Sequence, residues 1–310
     1  MVAVVTPDRF RVRGAFTEVD RLVALHRCTR GLKLGGGRRR AAPLAGEWKT
    51  RRRGRGIDFE EVRLYQPGDD IRAIDWRVTA RSQHPHTKVY REERERPIML
   101  AADLRSPMFF GSRCFKSVYA ASLMSALAWV ALGNRDRVGG IAFGDSDHRD
   151  IRPRRSKHAV LEWIRQLDRY SRKLQSPCPG TPPQPLNRLL EQLIHTCRPG
   201  TAIYLVSDFH DLDAASQQRL HQLSRHNELT LCLLADPLEQ GTAGEEGLWI
   251  SDGRHRQPLQ STAPLAAALQ ARYRQLQQGC APLGAAAHLF DTGAPLSQPL
   301  SVLCSGGKPW

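Results

Sequence analysis

Residues 98–111 read Ile-Met-Leu-Ala-Ala-Asp-Leu-Arg-Ser-Pro-Met-Phe-Phe-Gly, and the fold is organised around this stretch. Five apolar residues, Ile98–Ala102, follow a proline and lead directly into Asp103. An apolar run bounded in this way is typical of a strand that is buried on both faces in the middle of a parallel sheet. A long apolar helix is predicted next, from about Phe115 to Leu132. Asp103 is therefore expected at the carboxyl end of a central strand, where open α/β sheets bind their ligands.

Apolar runs and amphipathic segments alternate along the rest of the chain. Further strands are predicted at Arg137–Gly144, Thr201–Asp208, Leu229–Ala235 and Ala286–Phe290. Helices are predicted at Lys157–Tyr170, Leu186–Cys197, Ala214–His226 and Ala263–Gln278, and a small hairpin is predicted around Asp252-Gly253. Strands that alternate with helices predict a doubly wound, mainly parallel α/β sheet.

Shifts in composition predict three segments. Residues 1–57 form a basic, partly flexible N-terminal segment with one short amphipathic helix over Thr17–Arg30, whose first residue is a candidate cap. Residues 58–97 pack on the sheet and contain a charged, extended edge strand over Thr87–Arg96. Residues 98–310 form the α/β domain.

The chain is strongly basic, with 46 Lys and Arg against 31 Asp and Glu, a formal net charge of +15 and a pI of about 10.1. This excess predicts attraction to nucleic acid, an anionic membrane face or an acidic protein, without choosing among them. Many arginines near the N-terminus are grouped, namely Arg38, Arg39, Arg40, Arg51, Arg52, Arg53 and Arg55. They either bind an anionic partner or form a solvated tail, and charge alone does not decide between the two.

The cysteines and the apolar segments predict a location. The seven cysteines are odd in number and scattered, and no C-x-x-C pair is present. That pattern disfavours a disulfide framework and a zinc knuckle, and it favours a reducing cytoplasm. The one long apolar stretch, Val118–Leu132, is shorter than the ~20 residues of a spanning helix, so we expect a buried helix. The predicted location is cytoplasmic, with the periphery of the inner membrane as the alternative.

A specific motif precedes the central strand. It reads Arg63-x-Tyr65-x-Pro67-Gly68-Asp69-Asp70-x-Arg72-x-Ile74-Asp75-Trp76-x-x-x-Ala80-Arg81. The motif resembles the signature of the bacterial family called domain of unknown function fifty-eight. Two strands that end in Asp103 and Asp208 also resemble the von Willebrand factor A-like fold. The resemblance covers roughly Gly54 to the C-terminus.

The resemblance implies a function and partners. Genes of this family commonly neighbour MoxR-type AAA+ ATPases. The implied role is a non-catalytic interaction module or adaptor that works with such an ATPase, and with a client protein, in the assembly or maturation of protein complexes. No catalytic residues are expected.

The same resemblance implies a candidate metal site. Metal-dependent adhesion sites place Asp-x-Ser-x-Ser after the first strand, a threonine in a later loop and an aspartate after a further strand. Asp103, Thr181 and Asp208 match the carboxylates and the threonine. The two serine positions hold Arg105 and Pro107, so the site is degenerate; no cofactor is expected, and magnesium is the disfavoured alternative.

Two interpretations of Arg105 remain open at this point. Its guanidinium either lies over Asp103 and Asp208 and replaces the charge of the metal, or points to solvent while Asp103 caps the following loop. Surface arginines are common and their ion pairs are weak, which favours the second interpretation. In either case Arg105 and Ser106 are candidate partner-binding residues at the sheet edge.

The motif itself has a functional and a structural interpretation. Asp69, Asp70, Arg72, Asp75 and Arg81 form either a partner-binding surface or a small catalytic cluster. In the structural interpretation, which we favour, the carboxylates pair with Arg63, Arg72 and Arg81, while Tyr65, Ile74 and Trp76 anchor the segment to the sheet.

Three functions follow from these residues. The first is the adaptor that the resemblance implies. The second is nucleic-acid binding through the arginines between Arg38 and Arg55. Metal-dependent hydrolysis around Asp69 and Asp75 has the least support, because no ligand spacing accompanies these carboxylates.

Overall fold

The computed structural model describes residues 10–35, 58–67, 69–91, 96–175, 183–241, 248–251, 256–259 and 261–306. Its strands are β1 (Lys33–Leu34), β2 (Asp58–Leu64), β3 (His86–Arg91), β4 (Pro97–Asp103), β5 (Arg137–Phe143), β6 (His148–Arg154), β7 (Ala202–Ser207), β8 (Glu228–Ala235), β9 (Trp249–Ser251), β10 (Arg256–Pro258), β11 (Ala286–Asp291) and β12 (Cys304–Ser305). Its helices are α1 (Val19–Ala24), α2 (Trp76–Ser82), α3 (Lys116–Gly133), α4 (Lys157–Lys173), α5 (Leu186–Thr196), α6 (Ala214–Ser224), α7 (Ala263–Cys280) and α8 (Ser297–Leu303).

The chain divides into two compact units. One unit comprises Met1–Arg39 and Arg96–Trp310, and the other comprises Arg40–Glu95. The described N-terminal residues, 10–35, therefore belong with the sheet, and β1 pairs there with β12 near the C-terminus. The second unit contains the antiparallel hairpin β2–β3 and helix α2.

A six-stranded sheet forms the centre of the larger unit, in the order β11-β8-β7-β4-β5-β6. All neighbouring strands are parallel except β6, which runs antiparallel to β5 at one edge. The predicted fold class, a doubly wound and mainly parallel α/β sheet, is confirmed.

Strand β4 shows how the sequence builds the two layers of core. Its side chains alternate in direction, so Ile98, Leu100 and Ala102 pack with α3 and α4 on one face. Met99 and Ala101 pack with α5, α6 and α7 on the other face. Both faces of the strand are therefore dry, which explains why its sequence is continuously apolar rather than alternating.

Helix α3 crosses the first of these faces. It is the one described helix long and apolar enough to cross a membrane, and 89% of it is buried inside the protein. Its buried surface continues around the helix, as expected of a helix that is enclosed by a core. The predicted buried helix is thus a central packing element.

Glycine permits the close approach of α4 to the sheet. A Cβ atom on Gly140 of β5 would lie 2.5 Å from the indole of Trp163 on α4. The helix could not pack this tightly against any other residue at this position. Gly140 therefore helps to set the distance between the two layers.

Several predicted elements differ from the observed ones. The extended strand predicted over Thr87–Arg96 is present as far as Arg91, as part of β3, but it pairs with β2 rather than lying along the central sheet; residues 92–95 lie outside the described residues. The predicted helical cap at Thr17 is wrong. Glu18 is the cap residue of α1, and the Thr17 hydroxyl donates instead to Asp168 at 2.6 Å.

Candidate functional site

Acidic residues collect at the carboxyl edge of the central sheet. Asp103 is the last residue of β4, while Asp208 and Asp236 directly follow β7 and β8. These three strands are parallel, so their carboxyl ends meet at one edge. All three carboxylates are buried, and buried carboxylates require partners.

Asp103 has its partner two residues away. The side chain of Arg105 binds it through two parallel hydrogen bonds, with Nε donating to Oδ1 at 2.9 Å and Nη2 donating to Oδ2 at 2.8 Å. The Arg105 backbone N–H donates to Oδ1 at 3.1 Å, and the Ser207 hydroxyl donates to Oδ2 at 2.6 Å. Both carboxylate oxygens are thus engaged twice.

The remaining donors of Arg105 point to the loop after β7 and to the chain before α5. Nη1 donates to Asp211 Oδ2 at 2.8 Å and to the carbonyl of Gln184 at 2.7 Å, and Nη2 donates to Asp211 Oδ1 at 3.1 Å. Together with the two bonds to Asp103, these contacts use all five N–H groups of the guanidinium. The side chain of Arg105 is only 1% exposed, so it does not point to solvent.

The charge of Arg105 is stabilised by these neighbours. Burial alone would lower the pKa of its guanidinium, but the charges and hydrogen bonds of Asp103 and Asp211 outweigh burial and raise it. The same ion pair, together with the backbone N–H of Leu186, holds the pKa of Asp211 below its usual value against the opposing effect of burial. Arg105 and Asp211 therefore both carry their charges at neutral pH.

Asp208 is neutralised by a different cation. Lys116, the first residue of α3, is 2% exposed, and its ammonium lies 3.8 Å from Asp208 and 2.7 Å from Glu239. His210 Nδ1 lies 3.0 Å from Asp208 Oδ1. Burial by itself would raise the pKa of Asp208. The hydrogen bond from His210 and the charge of Lys116 outweigh burial, so the pKa of Asp208 lies well below its usual value.

Ser106 and Asp236 complete the edge through local hydrogen bonds. The Ser106 backbone N–H donates to Asp145 Oδ1 at 2.7 Å, and its hydroxyl contacts the other oxygen of the same carboxylate. Asp236 accepts from the backbone N–H groups of Ser112 and Leu238 and from the hydroxyl of Thr292. Asp236 therefore fixes the loops around the edge.

The residues present do not fit a magnesium site. A hard cation needs free oxygen ligands, but both oxygens of Asp103 are engaged by Arg105 and Ser207, and Asp208 faces Lys116. Within the part of the chain that the structure describes, no group of three or more His, Cys, Asp and Glu side chains is arranged to hold a metal ion. Thr181, the third predicted ligand, lies outside the described residues.

The predicted motif residues lie apart from this edge in sequence and have mainly local contacts. Asp69 pairs with Arg63 at 2.9 Å. Asp70 accepts from the backbone N–H of Arg72, and Asp75 accepts from two backbone N–H groups at the start of α2. Burial raises the pKa of Asp75, but these hydrogen bonds and Lys88 lower it overall.

Two predicted roles in the motif need correction. Trp76, predicted as an anchor, is 69% exposed. Arg72 and Arg81, predicted as ion-pair partners, form no such pair with any described residue, since the aspartates are engaged by Arg63, Lys88 and backbone N–H groups. The grouped arginines, Arg38, Arg39, Arg40, Arg51, Arg52, Arg53 and Arg55, lie outside the described residues.

The motif places the chain in a family. The family described as "Protein of unknown function DUF58" matches residues 61–252, which include the motif, the central strand and both edge clusters. This chain belongs to the DUF58 family. The match extends over more than half of the chain and begins within the hairpin unit.

Two curated relatives of this DUF58 member have names that state no function. Uncharacterized protein Rv1480 of Mycobacterium tuberculosis (strain ATCC 25618 / H37Rv) is 38% identical over 89 residues, which are 28% of each chain. Uncharacterized protein Mb1516 of Mycobacterium bovis shows the same identity and coverage. The match thus spans little more than a quarter of the length of these relatives.

Sequence reasoning missed several side chains of this edge, namely Lys116, Asp145, Ser207, His210, Asp211, Asp236 and Glu239. Ser207 lies within the predicted strand Thr201–Asp208, and Asp211 follows the end of that strand by three residues. Lys116 was detectable as a lone cation at the start of a long apolar helix. Glu239 had no comparable signal, because its position depends on the loop after β8.

Proposed function

We propose that this DUF58 member is a non-catalytic protein-interaction module in which Arg105 and Lys116 take the place of a metal ion at the edge of the sheet. One observation carries the proposal: the five N–H groups of a fully buried guanidinium are all bonded at the point where an adhesion site would hold its cation. The edge then binds through a fixed surface and without a metal bridge.

The chemistry of the described residues supports a non-catalytic role. Burial raises the pKa of the Cys114, Cys197, Cys232 and Cys304 thiols to about 12, and that of Cys280 to about 11. These thiols are protonated at neutral pH and are poor nucleophiles. The buried carboxylates of the edge are paired with cations or bonded to backbone N–H groups, which suits a structural role better than proton transfer.

We further propose a MoxR-type AAA+ ATPase and a client protein as the partners. The support is the likeness of the motif to a family whose genes commonly neighbour such ATPases, together with membership of that family. The accessible part of the edge includes His210 and Asp211, whose side chains are 32% and 26% exposed. A cytoplasmic location follows from this pairing and remains part of the proposal.

The partner proposal is tested by binding the purified chain to the MoxR-type ATPase from the same source. We expect a reversible complex in biolayer interferometry, with a dissociation constant in the micromolar range typical of transient complexes, about −8 kcal/mol of binding free energy. The chain alone should not hydrolyse ATP. If no binding is detected at an ATPase concentration 100-fold above this dissociation constant, the proposed partnership is wrong. The geometry of the edge would then need another explanation.

A further inference from the structure

The hairpin unit carries an unusual share of exposed apolar surface. Leu64, Ile71 and Trp76 are 57%, 65% and 69% exposed, and they fall within one short stretch of the family motif. Large apolar side chains that are clustered and exposed are a common mark of interaction sites. Their proximity in the fold decides whether they form one surface.

Contacts around His86 bring two of these residues together. Leu64 is paired with His86 in the β2–β3 register. The carbonyl of His86 accepts from the backbone N–H of Asp75, directly before Trp76, and its own N–H donates to the Thr79 hydroxyl. Ile71 joins this group because its carbonyl accepts from the N–H of Ile74, which bridges to β3.

Helix α2 turns its tryptophan outward for a local reason. Thr79 accepts a hydrogen bond from His86 of β3, so its side of the helix faces the hairpin, and Thr79 and its neighbour Val78 are both half-buried. The remaining side therefore faces away from the hairpin. Trp76 and Ala80 lie four residues apart on this side, with Arg77 and Arg81 beside them at the same spacing, and all four are exposed.

Three exposed arginines of the motif are available for a partner. The guanidinium groups of Arg72, Arg77 and Arg81 form no hydrogen bond or ion pair with any residue that the structure describes. The nearby aspartates are already engaged, because Asp69 binds Arg63 and Asp75 binds the start of α2 and Lys88. Charge and apolar area thus occur side by side.

We propose that Leu64, Ile71, Trp76 and the three arginines, here called the Trp76 surface, dock onto a protein whose apolar pocket is rimmed by carboxylates. Tryptophan and arginine are the residues that most often dominate binding energy at protein interfaces. The exposed apolar side chains need an apolar pocket, which a protein offers and the phosphate backbone of a nucleic acid does not. This inference rests on the proposed function, because it takes the AAA+ ATPase as the protein onto which the Trp76 surface docks.

The test compares matched tryptophans in the full-length chain. Trp249, in the other unit, is 54% exposed and also lies beside an arginine, with the Arg256 guanidinium 5.2 Å from its ring. We expect Trp76→Ala to weaken binding to the immobilised ATPase by about 30-fold and Arg77→Glu by about 10-fold. Trp249→Ala should leave binding within about twofold of the unmodified chain.

Each outcome of this comparison has a definite meaning. Unchanged melting temperatures show that the Trp76→Ala and Arg77→Glu variants are folded, and Arg77→Glu tests the surface independently if Trp76→Ala does not fold. If the ATPase binds and both variants bind equally well, the Trp76 surface is not the docking site, although the adaptor function stands. If the unmodified chain does not bind the ATPase, the proposed partnership is wrong, and the docking proposal that rests on it is wrong with it.

Binding to peptides of the ATPase identifies the chemical groups that the Trp76 surface recognises. An array of overlapping 15-residue peptides of the ATPase should show binding to segments that combine large apolar residues with Asp or Glu, and this binding should be lost with Trp76→Ala. Trp76-dependent binding to phosphatidylglycerol vesicles or to a single-stranded oligonucleotide, or a Trp76-dependent dimer in light scattering, would overturn the proposal in favour of that occupant.

Discussion

Replacing Arg105 by alanine is expected to lower the free energy of unfolding by about 3–5 kcal/mol. The Asp103 carboxylate is fully buried, and two of its hydrogen bonds come from the arginine side chain that is removed. Asp211 and the Gln184 carbonyl also lose the N–H groups that Arg105 donates to them, although Asp211 keeps the backbone N–H of Leu186. Breaking a buried ion pair on one side costs far more than the net value of the pair, because one charge stays desolvated.

Urea denaturation followed by circular dichroism measures this loss. Arg165→Ala, an exposed arginine on α4, is the control and should change stability by no more than about 0.5 kcal/mol. The double variant Arg105→Met with Asp103→Asn removes both charges and should recover part of the loss, with a coupling energy of about 1.5–3 kcal/mol. A loss below about 1 kcal/mol for Arg105→Ala would mean that the guanidinium is not buried as described.

Replacing Lys116 by methionine should also cost about 3 kcal/mol at pH 7. The ammonium is 2% exposed and lies 2.7 Å from Glu239, whose carboxylate is 13% exposed and would lose its cation. The same substitution at Lys173 is the matched control. Its ion pair with Asp147 is equally short, but the two side chains are 40% and 48% exposed, so a loss of no more than about 1 kcal/mol is expected.

The loss at Lys116 should shrink as the pH falls. The pKa of Asp208 lies below its unfolded value, so Asp208 contributes stability that is complete above about pH 4 and is lost as the pH falls towards the folded pKa. Without Lys116 the pKa of Asp208 in the folded protein is lowered less. The variant therefore loses less stability than the unmodified chain when the pH falls. Denaturation at pH 7 and pH 3 checks this, and an equal difference at both pH values would contradict it.

The sequence predicted most of the central fold because its signal is strong there. The continuous apolar run Ile98–Ala102 indicates a strand that is buried on both faces of a sheet. In the structure its side chains lie in the two cores on either side of the central sheet. Strand β6 was missed because only Ile151 of its seven residues is buried. As an edge strand that faces solvent, it lacks the continuous apolar pattern that identified its neighbours.

The candidate site was predictable only in outline. Strand ends placed Asp103 and Asp208 at one edge, since that depends on the sheet alone. The partner of Arg105 depends on the path of the loop after β7, where Phe209 adopts a left-handed conformation with φ of 48°. That path brings Asp211, rather than Asp208, to the guanidinium. Loop conformation of this kind has no periodic signal in the sequence.

The exposure of Trp76 was missed for a related reason. A tryptophan among apolar residues is more often buried, and the orientation of α2, whose Thr79 accepts from His86 of the hairpin, has no signal in the sequence. The motif thus combines two roles. Its aspartates organise the hairpin and α2, while its tryptophan and arginines remain accessible.

Calorimetric titration of magnesium and manganese into the purified chain tests the central claim most directly. We expect that the unmodified protein takes up neither metal in a saturable manner, because Arg105 occupies the position of the cation. An Arg105→Ser/Pro107→Ser variant restores the hydroxyl ligands of an adhesion site and should bind magnesium in the millimolar range or tighter, about −4 kcal/mol or stronger. Saturable uptake by the unmodified chain that is lost in Asp103→Asn would contradict the account and would make a metal-bridged partner the leading mechanism.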